Sequence, residues 1–146
     1  MRKYDIYLLE KEVAYHYYGR EQVLYHFFVE AVQPVPALIH TIDKQLHYIT
    51  QVIPKVVFEF ELKKIDSYRM RYNLKKESRK LMLSSEHSMV ILEKKERKLT
   101  LISTGNFEAE TLLFEHLRNV ENTFIAINIE GNSIGWLSPI KQAHYI

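Results

Sequence analysis

Hydrophobic and polar positions change period several times along this chain, and each change predicts a boundary between elements. Lys3 to Leu9 alternates loosely and is rich in Tyr, Ile and Leu, which predicts a strand. Glu10 and Glu12 then bring negative charge to a helix start, where the macrodipole favours it, and Val13, Ala14, Tyr17 and Tyr18 fall on one helical face. One more turn of that face would reach Arg20 or Glu21, which are polar. The helix is therefore expected to stop at Gly19, in the left-handed cap position. A second helix follows from about Arg20 to Ala31, with Val23, Leu24, Phe27 and Phe28 as its apolar face. Two apolar helical faces in so short a segment exceed what one compact core obviously needs. That surplus hints at a partner surface.

Gln33-Pro34-Val35-Pro36 reads as a stop and a loop, because proline disfavours helix in the residue before it, and Pro36 can open a third helix at its first position. Leu38, Ile39, Ile42, Leu46 and Ile49 give that helix a core stripe through Thr50, and Pro54 marks the next boundary. Residues 55–74 carry two patterns: Phe58, Phe60 and Leu62 alternate like a strand, whereas Val56, Val57, Phe60 and Lys64 suit a helix. The helical reading is preferred. Beyond Lys75, short strands are expected at Arg79 to Leu83, Met89 to Leu92 and Lys98 to Ile102, an antiparallel meander. Gly105-Asn106 ends it, and Asn106 can cap a helix with Glu108 and Glu110 in its first turn and Ala109, Leu112, Leu113, Leu117 and Val120 on its apolar face. Phe124 to Ile129 is nearly continuous in apolar residues and predicts a central strand covered on both sides. Glu130 to Ser133 then turns it into Ile134 to Leu137, and Pro139 stops the pairing. The order of elements predicts an α+β fold, a mainly antiparallel sheet with helices packed against it, formed by residues 1–146 as a single domain.

Size and composition agree with this picture. A chain of 146 residues buries roughly 68% of its unfolded surface on folding. Its 47% hydrophobic and 26% charged content belongs to an ordinary globular protein. The net charge of +2 is too small to argue for a nucleic-acid groove or a membrane surface. With no cysteine there is no disulfide framework, thiolate nucleophile or Cys-based zinc site. Glu10, Lys11 and Glu12 interrupt the apolar run behind Arg2 and Lys3, so neither a signal peptide nor a membrane span is expected, and the chain is expected in the cytoplasm.

Candidate chemistry is sparse. Glycines at 19, 105, 131 and 135 never gather into a phosphate loop or a dinucleotide fingerprint, and no G-x-S-x-G elbow exists. His40, Asp43 and His47 lie at helical spacing on the third helix and would face one ion if a further ligand and a second shell joined them, the mark of a small metal-dependent enzyme. Solvated polar positions of an amphipathic helix give the same spacing and are preferred. Glu115 and His116 are adjacent, but neighbours on a helix point apart, which disfavours an acid–base pair. Basic residues at Lys63-Lys64, Lys75-Lys76, Arg79-Lys80 and Lys94 to Lys98 would serve a DNA-binding module only if gathered on one face. Glu59, Glu61, Glu77, Glu93 and Glu96 are interleaved with them, so a solvated surface is the better reading. The Tyr-rich face of the first helix is by default core. Tyr also supplies large rigid contact area with a polar tip, which makes it frequent among interface hot spots. Tyr48, three residues after Gln45, stands off-centre from the core stripe of the third helix and is free to be shared with a partner.

Four segments together resemble a known family. Tyr7-Leu8-Leu9-x-Lys11-Glu12-x-Ala14-x-His16-Tyr17-Tyr18-Gly19-Arg20-Glu21 is similar to the start of the sporulation inhibitor of replication (SirA) family of endospore-forming bacteria. The same holds for Lys44-Gln45-x-x-Tyr48-Ile49-Thr50-Gln51-x-Ile53-Pro54, for Gly105-x-x-Glu108-Ala109-Glu110-Thr111-x-x-Phe114-Glu115-x-Leu117-Arg118, and for Gly135-Trp136-Leu137-x-Pro139-x-Lys141. Order and spacing cover nearly the whole chain, with residues 55–104 matching least.

The resemblance implies a non-enzymatic regulator without a cofactor or metal. Members of the family bind the N-terminal domain I of the replication initiator DnaA and stop initiation at the chromosomal origin when cells commit to sporulation. Their interface is helix against helix and mainly apolar. Carried over by residue, the resemblance implies contact at Val13 and Tyr17 on the first helix and at Gln45 and Tyr48 on the third, with Tyr18, Gly19 and Pro139 as weaker candidates. The position of Val13 can hold a larger aromatic in the family, so the smaller side chain here bears on affinity. A 1:1 heterodimer, with no direct contact to nucleic acid or membrane, is the expected assembly.

Overall fold

A computed structural model describes residues 1–60 and 72–140. Strand β1 (Arg2–Leu8) is followed by helices α1 (Lys11–Tyr17) and α2 (Glu21–Val32), a 3-10 turn at Pro36–Leu38, and helix α3 (Ile39–Ile49). A second 3-10 turn at Lys55–Phe58 precedes strands β2 (Asn73–Lys76), β3 (Lys80–Ser84), β4 (Ser88–Lys94) and β5 (Leu99–Gly105). Helix α4 (Glu108–Val120) then leads to β6 (Phe124–Asn128) and β7 (Ser133–Trp136). All seven strands form one sheet in the order β2-β3-β4-β5-β1-β6-β7, and every neighbouring pair is antiparallel. The fold class is α+β, as the order of elements predicts.

The N-terminal strand sits inside the sheet, with Ile6 opposite Leu99 of β5 on one side and Ala126 of β6 on the other. Strands β5 and β6, both antiparallel to β1, therefore run parallel to each other, and α4 makes the crossover that parallel strands require. The apolar run at Phe124 is covered on both faces, but β6 lies next to the edge strand β7 and is not central.

Side-chain alternation sorts the sheet into two cores. Ile6, Leu8, Leu81, Leu83, Val90, Leu92, Leu99, Leu101, Phe124 and Ala126 point to one face, where Ala109, Leu113 and Leu117 of α4 and Val57 of the second 3-10 turn close over them. Tyr7, Leu9, Ile125 and Ile127 point to the other face and meet Ala14 of α1 and Leu24 and Phe28 of α2. Phe28 stacks on Tyr7 with ring centroids 4.3 Å apart. The apolar surplus in α1 and α2 thus has a partial structural explanation: these helices serve the second of two cores.

Several expectations need correction. Residues 55–74 do not form one helix, since a 3-10 turn occupies Lys55–Phe58 and Asn73 already belongs to β2; the stretch 61–71 lies outside the described residues. The stripe of α3 is only partly core. Ile42 is buried and Leu46 and Ile49 are half-buried, but Leu38 and Ile39, at the start of the helix, are exposed. Tyr18 falls off the apolar face of α1 because the helix ends at Tyr17, and Tyr18 is exposed. Asn106 does receive the first turn of α4, accepting from the Glu108 N–H at 3.0 Å.

A buried ionic cluster ties α4 to β1. Glu110, almost wholly buried, accepts from Arg2 Nε at 2.7 Å and from the Tyr4 hydroxyl at 2.8 Å. Arg2 also donates to Ser103 Oγ and to the carbonyls of Gly105 and Asn106, and its guanidinium lies over the Phe107 ring. Burial, the hydrogen bond to Glu110 and the carboxylate's charge push the Tyr4 hydroxyl up to about 12.

Candidate functional site

The α1–α2 corner is built by a turn that only glycine fits well. Tyr18 has φ −62° and ψ 124°, Gly19 has φ 86°, and the Arg20 N–H donates to the Tyr17 carbonyl at 2.8 Å. These are the angles and the bond of a type II turn, whose third position needs positive φ. The corner folds α2 back beside α1, so Val23 and Phe27 stand next to Val13 and Tyr17.

The end of α3 is fastened to the start of α1. Glu10 N–H donates to the Ile49 carbonyl at 2.9 Å, and Gln51 N–H to the Leu8 carbonyl at 2.7 Å, closing an antiparallel bridge between Leu9 and Thr50. Arg97 donates to the Thr50 carbonyl at 2.7 Å, placing a cation at the helix C-terminus where the exposed carbonyls attract it. These bonds set the last turns of α3 against α1.

Between α1, α2 and α3 lies an open groove of about 730 Å³. Val13, Tyr17, Val23, Leu24, Phe27, Tyr48 and Ile49 give it an apolar lining, and Glu12, His16, Lys44 and Gln45 supply its polar positions. Tyr48 is 80% exposed and Val23 54%, so apolar surface faces water here with little cover. Leu24, by contrast, is buried and forms the floor.

Of the residues singled out from the sequence, Val13, Tyr17, Gln45 and Tyr48 come together in this groove. Tyr18 and Gly19 occupy the turn at the end of α1 and do not line it. Pro139 is exposed and does not line it either, although its neighbour Ile140 packs in the helix-side core with Ala14. Val23 and Phe27, part of the surplus apolar face that the sequence shows, and Ile49, which it places in the core stripe of α3, also belong to the lining without being singled out as contact residues. Their signal was present: Val23 and Phe27 are one turn apart, on the flank of the Leu24 and Phe28 face.

The other candidates go elsewhere. His47 Nδ1 lies 2.9 Å from the Asp43 carbonyl of its own helix, and His40, Asp43 and His47 are all exposed. Among the described residues no three His, Asp or Glu groups converge as a metal site would require. His116 Nε2 meets the Val57 carbonyl at 2.8 Å with its ring edge-on to Phe60, while Glu115 pairs with Arg118, so the two adjacent groups have separate partners. Among the described residues no helix is long and apolar enough to cross a membrane.

Fold and groove together define the class: an antiparallel α+β domain with an open apolar groove between its helices. The family model described as Sporulation inhibitor of replication protein SirA matches residues 2–141. The chain is also similar to the Sporulation inhibitor of replication protein SirA of Bacillus subtilis (strain 168), at 30% identity over 151 aligned residues that cover 99% of each chain. The chain belongs to the SirA family.

Proposed function

We propose that this protein is a non-enzymatic inhibitor of chromosomal replication initiation in sporulating cells, and that it acts by binding domain I of DnaA through the groove between α1, α2 and α3. The observation that carries this reading is the convergence of Val13 and Tyr17 with Gln45 and Tyr48 in one open apolar groove. Those two pairs lie about thirty residues apart in the sequence and on separate helices. Nothing in the packing of either core calls for Tyr48 to face solvent. Aromatic anchors at the centre of a concave apolar patch, with a polar rim, are how most protein interfaces concentrate their binding energy.

In this mechanism a helical face of the initiator's domain I packs into the groove. The surface it uses for self-assembly or for helper proteins is then covered, and origin unwinding fails without any DNA contact by this chain. Tyr18, Gly19 and Pro139 lie outside the groove and contribute, if the partner is broad enough, at its rim. Inhibition of replication during sporulation is what the family's name describes.

Calorimetric titration with purified DnaA domain I tests the reading, with Gln45→Arg as the control. Gln45 is exposed, so the substitution leaves the fold intact while placing an unpaired charge in the patch. One-to-one saturable binding that Gln45→Arg weakens at least tenfold is expected. A well-folded wild-type protein that does not bind would sink the proposal.

A further inference from the structure

Two motif residues far apart in the chain, Glu21 and Trp136, meet at the α1–α2 corner. The Trp136 Nε1–H donates to Glu21 Oε2 at 3.1 Å, across 115 positions of sequence. The same oxygen accepts from the Gly19 N–H. One carboxylate thus joins the backbone of the turn to the ring of edge strand β7. We infer that Glu21 is a positioning residue: it pins the corner that carries Tyr17 to the sheet, and so fixes the α1 side of the groove.

The physical case has three parts. Helix α1 has only seven residues, and a helix of two turns has no stable orientation of its own in water. Its direction is set by its ends. The N-terminal end is held by the Glu10 N–H bond to the Ile49 carbonyl, and the C-terminal end has the type II turn. Such a turn satisfies the Arg20 N–H but leaves the Gly19 N–H, at its third position, without a partner inside the turn. Glu21 supplies that partner.

The choice of a carboxylate follows from the donors. An indole N–H can only donate, and half-buried Trp136 has its ring in the helix-side core, so its N–H needs an acceptor at the core's edge. A bond to a charged acceptor is about twice as strong as a neutral one. Glu21 also opens α2, where the helix N-terminus favours an anion. Gly19, the start of α2 and β7 are thereby held by one side chain. Tyr17 sits two residues before Gly19, and any drift of the corner moves its ring along the groove.

The inference rests on the proposed function only for its effect on binding; the pin itself is testable without a partner. Trp136 is the only tryptophan, so its indole N–H gives one unambiguous NMR resonance. The variants are Glu21→Ala, Glu21→Gln (which keeps a neutral acceptor) and Trp136→Phe (which keeps a ring without the donor). In Glu21→Ala the indole resonance should move and Gly19 amide exchange should accelerate about tenfold or more, the equivalent of one charge-assisted bond. Affinity for DnaA domain I should fall by a similar factor, with Glu21→Gln retaining part of both. The double variant Glu21→Ala with Trp136→Phe should lose no more affinity than the worse single one, because both remove the same link.

An unmoved indole resonance with unchanged Gly19 exchange in Glu21→Ala would overturn the pin. So would loss of the contact with wild-type affinity retained, in a protein whose binding Tyr17→Ala does weaken. If the wild-type protein shows no affinity for domain I while both NMR signals respond, the pin stands and the partner reading is what has failed.

Discussion

Replacing Tyr48 by Ala separates a surface role from a core role more sharply than any other single change. Tyr48 is 80% exposed, so the folded chain removes only about a fifth of its surface from water. A fully buried tyrosine removes about 150–250 Å². A fifth of that, at about 25 cal/mol per Å², is at most about 1 kcal/mol. Alanine returns about half of it, because it is the better helix former in α3. The expected loss of stability is therefore about 0.5 kcal/mol, or a melting temperature lower by about 2 °C or less. Binding behaves differently. Covering the remaining surface is worth about 3–5 kcal/mol before the cost of ordering the side chain, about 0.5–1.5 kcal/mol, is subtracted. A net loss of about 2–4 kcal/mol lowers affinity roughly 30-fold to several hundredfold.

Phe28 provides the contrast. It is 1% exposed and stacked on Tyr7, and Phe28→Ala should cost about 3–5 kcal/mol of stability. Urea denaturation monitored by circular dichroism gives the stabilities, and calorimetric titration with DnaA domain I gives the affinities. A Tyr48→Ala protein destabilised by more than about 1.5 kcal/mol would show that the side chain is packed in the fold. Wild-type affinity in a stable Tyr48→Ala protein would remove it from the interface.

Four further outcomes follow from the fold. Gly19→Ala should cost about 1–2 kcal/mol, since nothing lies within 4 Å of an added Cβ and the positive φ is the only penalty; Gly135→Ala, equally unobstructed but without a positive φ, should be neutral or slightly stabilising in the same urea titration. Glu110→Ala should cost about 2–4 kcal/mol by thermal unfolding, because it strips the acceptor from Arg2 Nε and the Tyr4 hydroxyl while Arg2 keeps its bonds to Ser103, Gly105 and Asn106. Tyr4 gives a pH signature: its folded value is raised to about 12 from 10.0, so the stability it contributes is complete below pH 10 and is lost as pH rises through 12. Burial raises Tyr7 in the same direction. Urea midpoints should fall between pH 10 and 12, and Tyr4→Phe should show a shallower fall; an equal slope in both proteins would exclude Tyr4 as a source.

Much of this molecule was legible in local sequence, because the signals were themselves local. A glycine that must take positive φ ended α1, prolines bracketed α3, and an asparagine received the first turn of α4. Alternation along β3, β4 and β5 told which side chains face inward, since a strand's period of two needs no knowledge of its neighbours. The resemblance singled out Val13, Tyr17, Gln45 and Tyr48, and helical spacing made each pair neighbours on its own helix. It implied one patch made of both pairs, but not which contacts bring their two helices side by side.

That step belonged to the tertiary structure. The bridge between Leu9 and Thr50 and the bond from Glu10 to Ile49 bring α3 beside α1, and neither leaves a trace in periodicity, because backbone groups are the same at every residue. The same limit hid three other features: the insertion of β1 between β5 and β6, the burial of Glu110 against Arg2, and the link from Glu21 to Trp136. It also misjudged Leu38 and Ile39, which share the helical phase of Ile42 but are exposed at the start of α3. Sequence determined which elements form and which face of each is apolar, since those depend on residues a few positions apart. The pairing of distant segments decided which apolar faces are covered and which remain open as a groove.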